Sequence, residues 1–381
     1  MEAHTPIRVV HVTSGLGHGG AESILLDLFT MADPLEIDQF IISLGSPTDR
    51  EELNGTHSSK IVYLEVEQKP GNIFSAIFRT RNEIKKLAPN VVHTWMYYGD
   101  IIGGIAAKTL GVPIIWGVFT GSLDPRFYSR LTRWVIRACG WLSWFIPTHI
   151  VSCSKKGLEI HREIGYPKQK LSVIPIGFNT EKYVISQAGR SRFRRRYGIS
   201  RSSYVIGMAA RFDPQKDFET FFKAIAITKE RIPELTVLLV GGYGADKDND
   251  LLRAMIEKFG IEENTSALGF VSSINDFYNG VDLFVLSSHG EGFPRVIGEA
   301  MASGTPCVAA DVGDCREVIG DTGFDVSRNA PEELANAIVR FCSISNEGRQ
   351  ALKVRSRENI VRNYHLNRMI SLYIEKYREC L

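Results

Sequence analysis

The chain has 381 residues, 44% of them hydrophobic and 23% charged, which excludes both a single small domain and a disordered chain. Lys plus Arg number 45 against 43 Asp plus Glu, a formal net charge of +2, so the whole chain carries no electrostatic signal for nucleic acid and any anion site is local. The six cysteines are scattered, without the paired spacing of a zinc ribbon or a disulfide scaffold, and read as reduced packing thiols.

The amino terminus, Met-Glu-Ala-His-Thr-Pro-Ile-Arg, has an acid where an export signal needs bases and no apolar stretch behind it, so a cytoplasmic protein is expected. Strands are predicted at 8–13, 39–44, 60–64, 91–93, 114–119, 149–152 and 172–175, with helices such as 21–31 and 100–110 between them. Ile101 to Leu123 is apolar enough to suggest a membrane span, but Lys108, Gly111 and Pro113 divide it into helix, turn and strand. Residues 177–203 are polar, with Gly189 and the cluster Arg190, Arg192, Arg194, Arg195 and Arg196, and read as an exposed linker. No aromatic stacking platform accompanies these arginines, so nucleic acid is not an expected partner. Fresh strands follow at 204–210, 236–240, 266–268, 283–286 and 306–309. Val- and Ile-rich runs alternating with helical segments are the pattern of parallel sheets covered on both faces. The expected fold class is therefore α/β, two doubly wound Rossmann-like domains facing across a cleft at the carboxyl ends of their strands.

Gly15-Leu16-Gly17-His18-Gly19-Gly20 matches G-x-G-x-x-G between the first strand and first helix, which makes an NAD-dependent oxidoreductase one reading. That reading needs an acid at the end of the second strand, but the strand ends Ile41-Ile42-Ser43-Leu44-Gly45-Ser46, and Asp38 lies at its other edge. What remains is a glycine loop at a helix start, suited to a phosphate or to close approach of a sugar. From 70 to 170 there are 14 Lys/Arg and 5 Asp/Glu. Within this span Arg126, Arg130, Arg133 and Arg137 recur beside Phe127, Trp134, Trp141, Trp144 and Phe145, which reads either as an interfacial helix entering lipid headgroups or as an interdomain helix with a basic solvent face.

In the second half, the strand ending at Ala210 delivers Arg211-Phe212-Asp213-Pro214-Gln215-Lys216 into a turn, two cations where a diphosphate would sit. The stretch Ser287 to Gly304 predicts a helix over 294–303, with Pro294 in its first turn and Gly304 as its cap. Its opening amides, those of Phe293, Arg295 and Val296, would form an anion site, and the carboxylates Glu291 and Glu299 would serve between them as hydroxyl acceptors for a ribose and a hexose, either one for either sugar. Asp246, Asp248 and Asp250 read as a solvated helix start in preference to a metal site, so no metal and no cofactor is expected.

Together these motifs resemble the retaining nucleotide-sugar glycosyltransferases of family 4 (group 1), which have the two-domain GT-B fold. The likeness spans nearly the whole chain and is most specific from Glu291 to Gly323, supported by the Arg211 to Lys216 pair and the turn Gly241-Gly242-Tyr243-Gly244. The loop from Gly15 to Glu22 and the segment Trp95-Met96-Tyr97-Tyr98-Gly99-Asp100 look like the subset that builds bacterial O-antigens and other surface polysaccharides. The resemblance implies an acceptor-binding domain over 1–180 and a nucleotide-sugar domain over 181–381, whose last helix, about 365–381, packs back on the first domain. It implies that Glu299 holds the donor ribose, Glu291 the donor sugar, and Arg211 and Lys216 the diphosphate. Phe293, Pro294, Arg295, Val296, Gly241 and Gly242 would complete the donor side, and Gly19 or Gly20 would border sugar and acceptor. Gly17, His18, His93 and Thr120 fall on the acceptor side. Thr120 stands where the family often places a histidine, Arg295 where a smaller polar residue is common, and Ile176 in place of a usual Asn. The implied reaction moves a hexose or N-acetylhexosamine from a nucleotide sugar, UDP-linked by preference, to a lipid-linked saccharide at the inner face of the cytoplasmic membrane. A sugar-nucleotide-binding scaffold without turnover is the non-enzyme alternative.

Overall fold

A computed structural model describes residues 5–381 apart from 49–52, 54, 67–69, 201 and 243, so Met1 to His4 of the amino terminus and Tyr243 of the glycine turn lie outside the described residues. The chain divides into two units, Met1–Gly177 with Leu366–Leu381, and Phe178–His365. The family resemblance implies a division at 180/181, with the last helix packing back on the first domain.

The first unit runs β1 (Ile7–Thr13), α1 (Gly20–Met31), β2 (Ile37–Ser43), β3 (Ile61–Tyr63), α2 (Ile73–Leu87), β4 (Val91–Trp95), α3 (Met96–Lys108), β5 (Ile114–Val118), α4 (Arg130–Leu142), β6 (His149–Ser152), α5 (Lys155–Glu163) and β7 (Leu171–Val173). Its seven strands are all parallel in the order β3-β2-β1-β4-β5-β6-β7. Every residue of β4 and β5 is buried, which explains why these strands read as continuous apolar runs without alternation. Val10, Val12, Ile42, Val92, Trp116 and Ile150 lie in one core.

The second unit runs α6 (Gln187–Arg196), β8 (Val205–Ala209), α7 (Phe218–Arg231), β9 (Thr236–Val240), α8 (Asp250–Lys258), β10 (Thr265–Gly269), α9 (Ile274–Gly280), β11 (Leu283–Leu286), α10 (Arg295–Ala302), β12 (Cys307–Ala310), α11 (Cys315–Ile319), β13 (Phe324–Val326), α12 (Pro331–Cys342) and α13 (Asn346–Asn363). Its six strands are parallel in the order β10-β9-β8-β11-β12-β13. The last helix, α14 (Leu366–Arg378), belongs to the first unit, where Tyr373 and Tyr377 are fully buried and the Tyr377 hydroxyl meets His93 Nδ1 at 2.9 Å.

Two expectations need correction. The arginine-rich stretch is the helix α6, not an exposed linker. Arg194 is 5% exposed, and Arg190 and Arg194 grip the two oxygens of Asp282 at 2.6 and 2.7 Å. The helix reads as solvated because its burial depends on an acid 88 residues away, which local composition cannot reveal. Strand β13, three residues with an internal Asp, was not anticipated because its apolar run is too short.

Candidate active site

Strand order reverses between β8 and β11 in the second sheet, and doubly wound sheets bind ligands outside the carboxyl ends of their strands at such a point. The loops leaving these two strands carry Arg211 to Lys216 and Ser287 to Glu291, and they are joined to each other. The His289 amide donates to the Gln215 carbonyl at 2.8 Å, and Gln215 Nε2 donates to the Gly290 carbonyl at 2.9 Å. The Ser287 hydroxyl donates to the carbonyls of Lys216 and Asp217 at 2.9 and 3.0 Å. Lys216 Nζ therefore arrives from a fixed backbone at Glu291 Oε1, 2.7 Å away, an oxygen that also accepts from the Ser288 hydroxyl at 2.6 Å. Arg211 is exposed at the carboxyl end of β8 and makes no hydrogen bond or ion pair among the described residues.

Asp217 sits at a left-handed φ of 48° and caps α7 by accepting from the Thr220 amide at 3.1 Å, while its other oxygen lies 3.5 Å from His289 Nδ1. Gly313, at φ +56°, lies so close to the Glu291 peptide that an added Cβ would stand 2.4 Å from its carbonyl oxygen. The loop after β12 thus supports Glu291 from behind.

The second carboxylate, Glu299, is 8% exposed on α10. Its Oε2 accepts from the Tyr278 hydroxyl at 2.9 Å and its Oε1 from Arg295 Nε at 2.8 Å, one helical turn back. Burial, and then the neighbouring Glu299 charge, push the Tyr278 hydroxyl well above its usual pKa, so it stays a donor. At the start of α10, Pro294 supplies no side-chain cap. Of the three amides expected to be free, that of Arg295 is not, because it donates to the Phe293 carbonyl at 2.9 Å. Those of Phe293 and Val296 find no partner among the described residues. Gly241, at φ +144°, has a packing reason of its own, since a Cβ there would stand 2.1 Å from the Ala210 carbonyl oxygen, and one at Gly242 would meet the Phe270 ring at 2.4 Å.

In the first unit the order reverses between β1 and β4, and the glycine loop leaves β1 at that point. Gly19 is the N-cap of α1 without a side-chain cap, and His18 is exposed. A Cβ at Gly15, Gly17 or Gly20 would meet no described atom within 4 Å, so contacts among the described residues do not demand glycine there. Asp38, the remaining candidate for a dinucleotide ribose, is bound to Arg8 at 2.9 Å and Lys60 at 2.8 Å toward the opposite end of the sheet.

His93 corrects an expectation. It is fully buried, tied to Tyr377, and held well below the usual histidine pKa by burial and then by His11, so it anchors α14 and does not present itself to an acceptor. Thr120 is 8% exposed, and its hydroxyl is shared between the Ser122 carbonyl and the Tyr128 hydroxyl, both at 2.9 Å. Sequence reasoning missed Tyr278, Ser288 and Gln215. Ser288, three residues before Glu291, had a local signal in that spacing, whereas Tyr278 lies 21 residues from Glu299 and had none. Asp246 holds the Asp248 amide, Asn249 caps α8 and Asp250 pairs with Arg253. No cluster of three or more His, Cys, Asp or Glu suited to a metal occurs among the described residues. All six cysteines are free thiols, five of them buried.

Two parallel doubly wound sheets in tandem define the two-domain GT-B fold, and solved structures agree. Anabaena HepE in complex with UDP and glucose superposes with a TM-score of 0.85 over 98% of this chain and 100% of that one at 21% identity. The lipopolysaccharide glycosyltransferase WaaG superposes with a TM-score of 0.74 over 97% of this chain and 99% of that one at 12% identity. Residues 18–182 match the family described as Glycosyltransferase Family 4 and residues 203–343 that described as Glycosyl transferases group 1, and the chain belongs to these glycosyltransferases. An Escherichia coli protein named UDP-Gal:alpha-D-GlcNAc-diphosphoundecaprenol alpha-1,3-galactosyltransferase is 29% identical over 68% of this chain and 67% of its own length. A Campylobacter jejuni protein named N,N'-diacetylbacillosaminyl-diphospho-undecaprenol alpha-1,3-N-acetylgalactosaminyltransferase is 25% identical over 69% of this chain and 70% of its own.

Proposed function

We propose that this chain transfers a hexose or N-acetylhexosamine, with retention, from a nucleotide sugar to a lipid-linked saccharide in the assembly of O-antigen, lipopolysaccharide, capsule or exopolysaccharide. The observation that carries the reading is the pair of carboxylates at one sheet edge, Glu291 held by Lys216 and Ser288, and Glu299 held by Tyr278 and Arg295. Carboxylates whose orientation is set beforehand accept sugar hydroxyls with little further ordering cost. In this reading Glu299 takes the ribose, Glu291 the donor sugar, and Arg211, Lys216 and the amides of Phe293 and Val296 take the diphosphate. A UDP donor is favoured by the names of the Escherichia coli relative and the Anabaena structure.

The bond from the anomeric carbon to the diphosphate oxygen breaks, and the acceptor hydroxyl oxygen forms the new bond on the same face. The departing phosphate oxygen takes the acceptor proton, and the cations stabilise the negative charge that builds there. The glycine loop of the first unit, Gly17 to Gly20 with His18, is assigned to sugar and acceptor. No metal takes part, so activity should persist in excess chelator. A thermal-shift screen across UDP-, GDP- and ADP-sugars, followed by NMR of the product's anomeric configuration, tests the reading; an inverted product sinks retention, and donor affinity without turnover leaves only a binding scaffold.

The acceptor reading brings a membrane surface with it. Trp134, Trp141, Trp144 and Phe145, on and just after α4, are 67%, 68%, 52% and 61% exposed, and Arg137 stacks over Trp134 at 5.7 Å. Exposed aromatics among arginines are what an interfacial helix offers to anionic headgroups. No described helix is long and apolar enough to cross a membrane. The chain should float with anionic liposomes and lose this when Arg130, Arg133 and Arg137 are replaced by Gln; absence of binding at low salt overturns the peripheral placement.

A further inference from the structure

A cavity of about 500 Å³ opens at the other end of the second sheet. Tyr204 and Asp282, the residues immediately before β8 and β11, line it, whereas Arg211 and Ser287 follow those strands. A five-residue strand, roughly 15 Å, separates the cavity from the candidate active site. Three cations face it, Arg190 from α6 and Arg349 and Lys353 from α13.

Little negative charge answers them. Asp282, the carboxylate in the lining, is fully engaged, one oxygen with Arg190 and the other with Arg194 and the Val205 amide. The remaining valences of Arg190 go to the carbonyls of Asn279, Gly280 and Val281, and those of Arg349 to the carbonyls of Cys342 and Ile344, the Tyr204 hydroxyl and Asn346. Carbonyls satisfy hydrogen bonds without cancelling charge. Glu347, an acid that feels Arg349, is exposed. The Lys353 ammonium has neither a hydrogen bond nor an ion pair among the described residues. Burial first, then Arg190, Arg194 and Arg349, hold its ammonium below the usual lysine range, partly offset by Asp282. Ser186, Gln187, Ser202, Ser203 and Gln350 add neutral polar groups to the wall.

We propose that this cavity is a second ligand site, one that takes the phosphate group of a small soluble phosphorylated metabolite between Lys353, Arg190 and Arg349. Two guanidinium groups already held in place and one unpaired ammonium form a clamp for a dianion, and the volume suits a ligand of sugar-phosphate size. The site is independent of the transfer reaction and does not rest on it.

Calorimetric titration of the full chain with inorganic phosphate and with glucose 6-phosphate, at physiological ionic strength, tests this. Saturable binding is expected, weakened at least about tenfold in Lys353→Gln, where a charge-assisted bond is lost. Gln350→Glu, an exposed position three residues back on the same helix, places a competing carboxylate beside Lys353 and should weaken binding likewise even if Lys353→Gln folds poorly. Lys216→Ala, at the other end of the sheet, should leave this affinity unchanged. The proposal is overturned by absence of saturable binding, by binding that survives both cavity substitutions, or by binding lost only in Lys216→Ala. Attachment to phosphatidylglycerol vesicles through Lys353, without binding of the soluble phosphates, equally rules out a site for a small metabolite.

Discussion

Lys216 and Arg211 present two cations in different states. Lys216 is already paired, so a donor that reaches Glu291 through a sugar hydroxyl must share or displace that contact, whereas Arg211 has no partner to release among the described residues. If both stabilise a leaving diphosphate, Lys216→Ala and Arg211→Ala should each lower kcat by on the order of 10²–10³, read in a donor-hydrolysis or transfer assay. Lys216→Ala carries an added cost, because it leaves Glu291 with Ser288 alone, and its melting temperature should fall while that of Arg211→Ala stays close to wild type. Wild-type rates in both variants would remove the diphosphate assignment. Tyr278→Phe is sharper still, since it deletes one oxygen and leaves Glu299 Oε2 without its buried donor. A loss of about 1–3 kcal/mol in stability and a raised KM for the donor at similar kcat are expected. An unchanged KM would separate Glu299 from the donor.

At the level of the element, the first residue of α1 is informative because no described atom packed around it requires glycine there. Gly20 is the first residue of the helix, and a Cβ would meet no described atom within 4 Å. Alanine is the better helix former by about 1 kcal/mol in a helix interior, so Gly20→Ala should keep or slightly raise the melting temperature. If a sugar approaches this backbone closely, the same substitution should cut activity; full activity would turn the glycine loop into a turn without a ligand. The strand elements were legible in the sequence wherever Val and Ile runs met turn residues, as at Ile114–Val118 and Leu283–Leu286. β13 and α6 were not, since one is three residues long and the other is burdened with arginines whose partners lie far along the chain.

The whole molecule carries a pH dependence seated in its first unit. His11 and His161 are fully buried and, by burial first, held from 6.5 down to about 4, partly offset by Gln39 for His11 and the Gly157 carbonyl for His161. Between about 4 and 6.5 the unfolded chain binds these protons and the folded chain does not, so the stabilisation is complete above 6.5 and is lost as pH falls through that window. Each histidine contributes on the order of 3 kcal/mol at most. Urea midpoints measured from pH 7 to 4 should fall steeply, and His161→Gln should flatten the slope; a midpoint independent of pH over that range would contradict the burial.

Local order was encoded locally. Alternation of apolar runs with helical segments determined two parallel doubly wound sheets, and the position of Arg211 and Lys216 just after one strand, and of Glu291 and Glu299 just after another, marked them as candidates for a strand-end site. These are properties of residues within a few positions of one another, and the connection rules for parallel strands do the remainder. Only the tertiary structure decided that Glu299 is gripped by Tyr278, that His93 is an anchor for α14, and that the arginines of α6 and α13 converge on one cavity. In each case partners tens to hundreds of residues apart are brought together by packing, and whether a charged or polar side chain is solvated or buried depends on that partner and not on its neighbours in sequence.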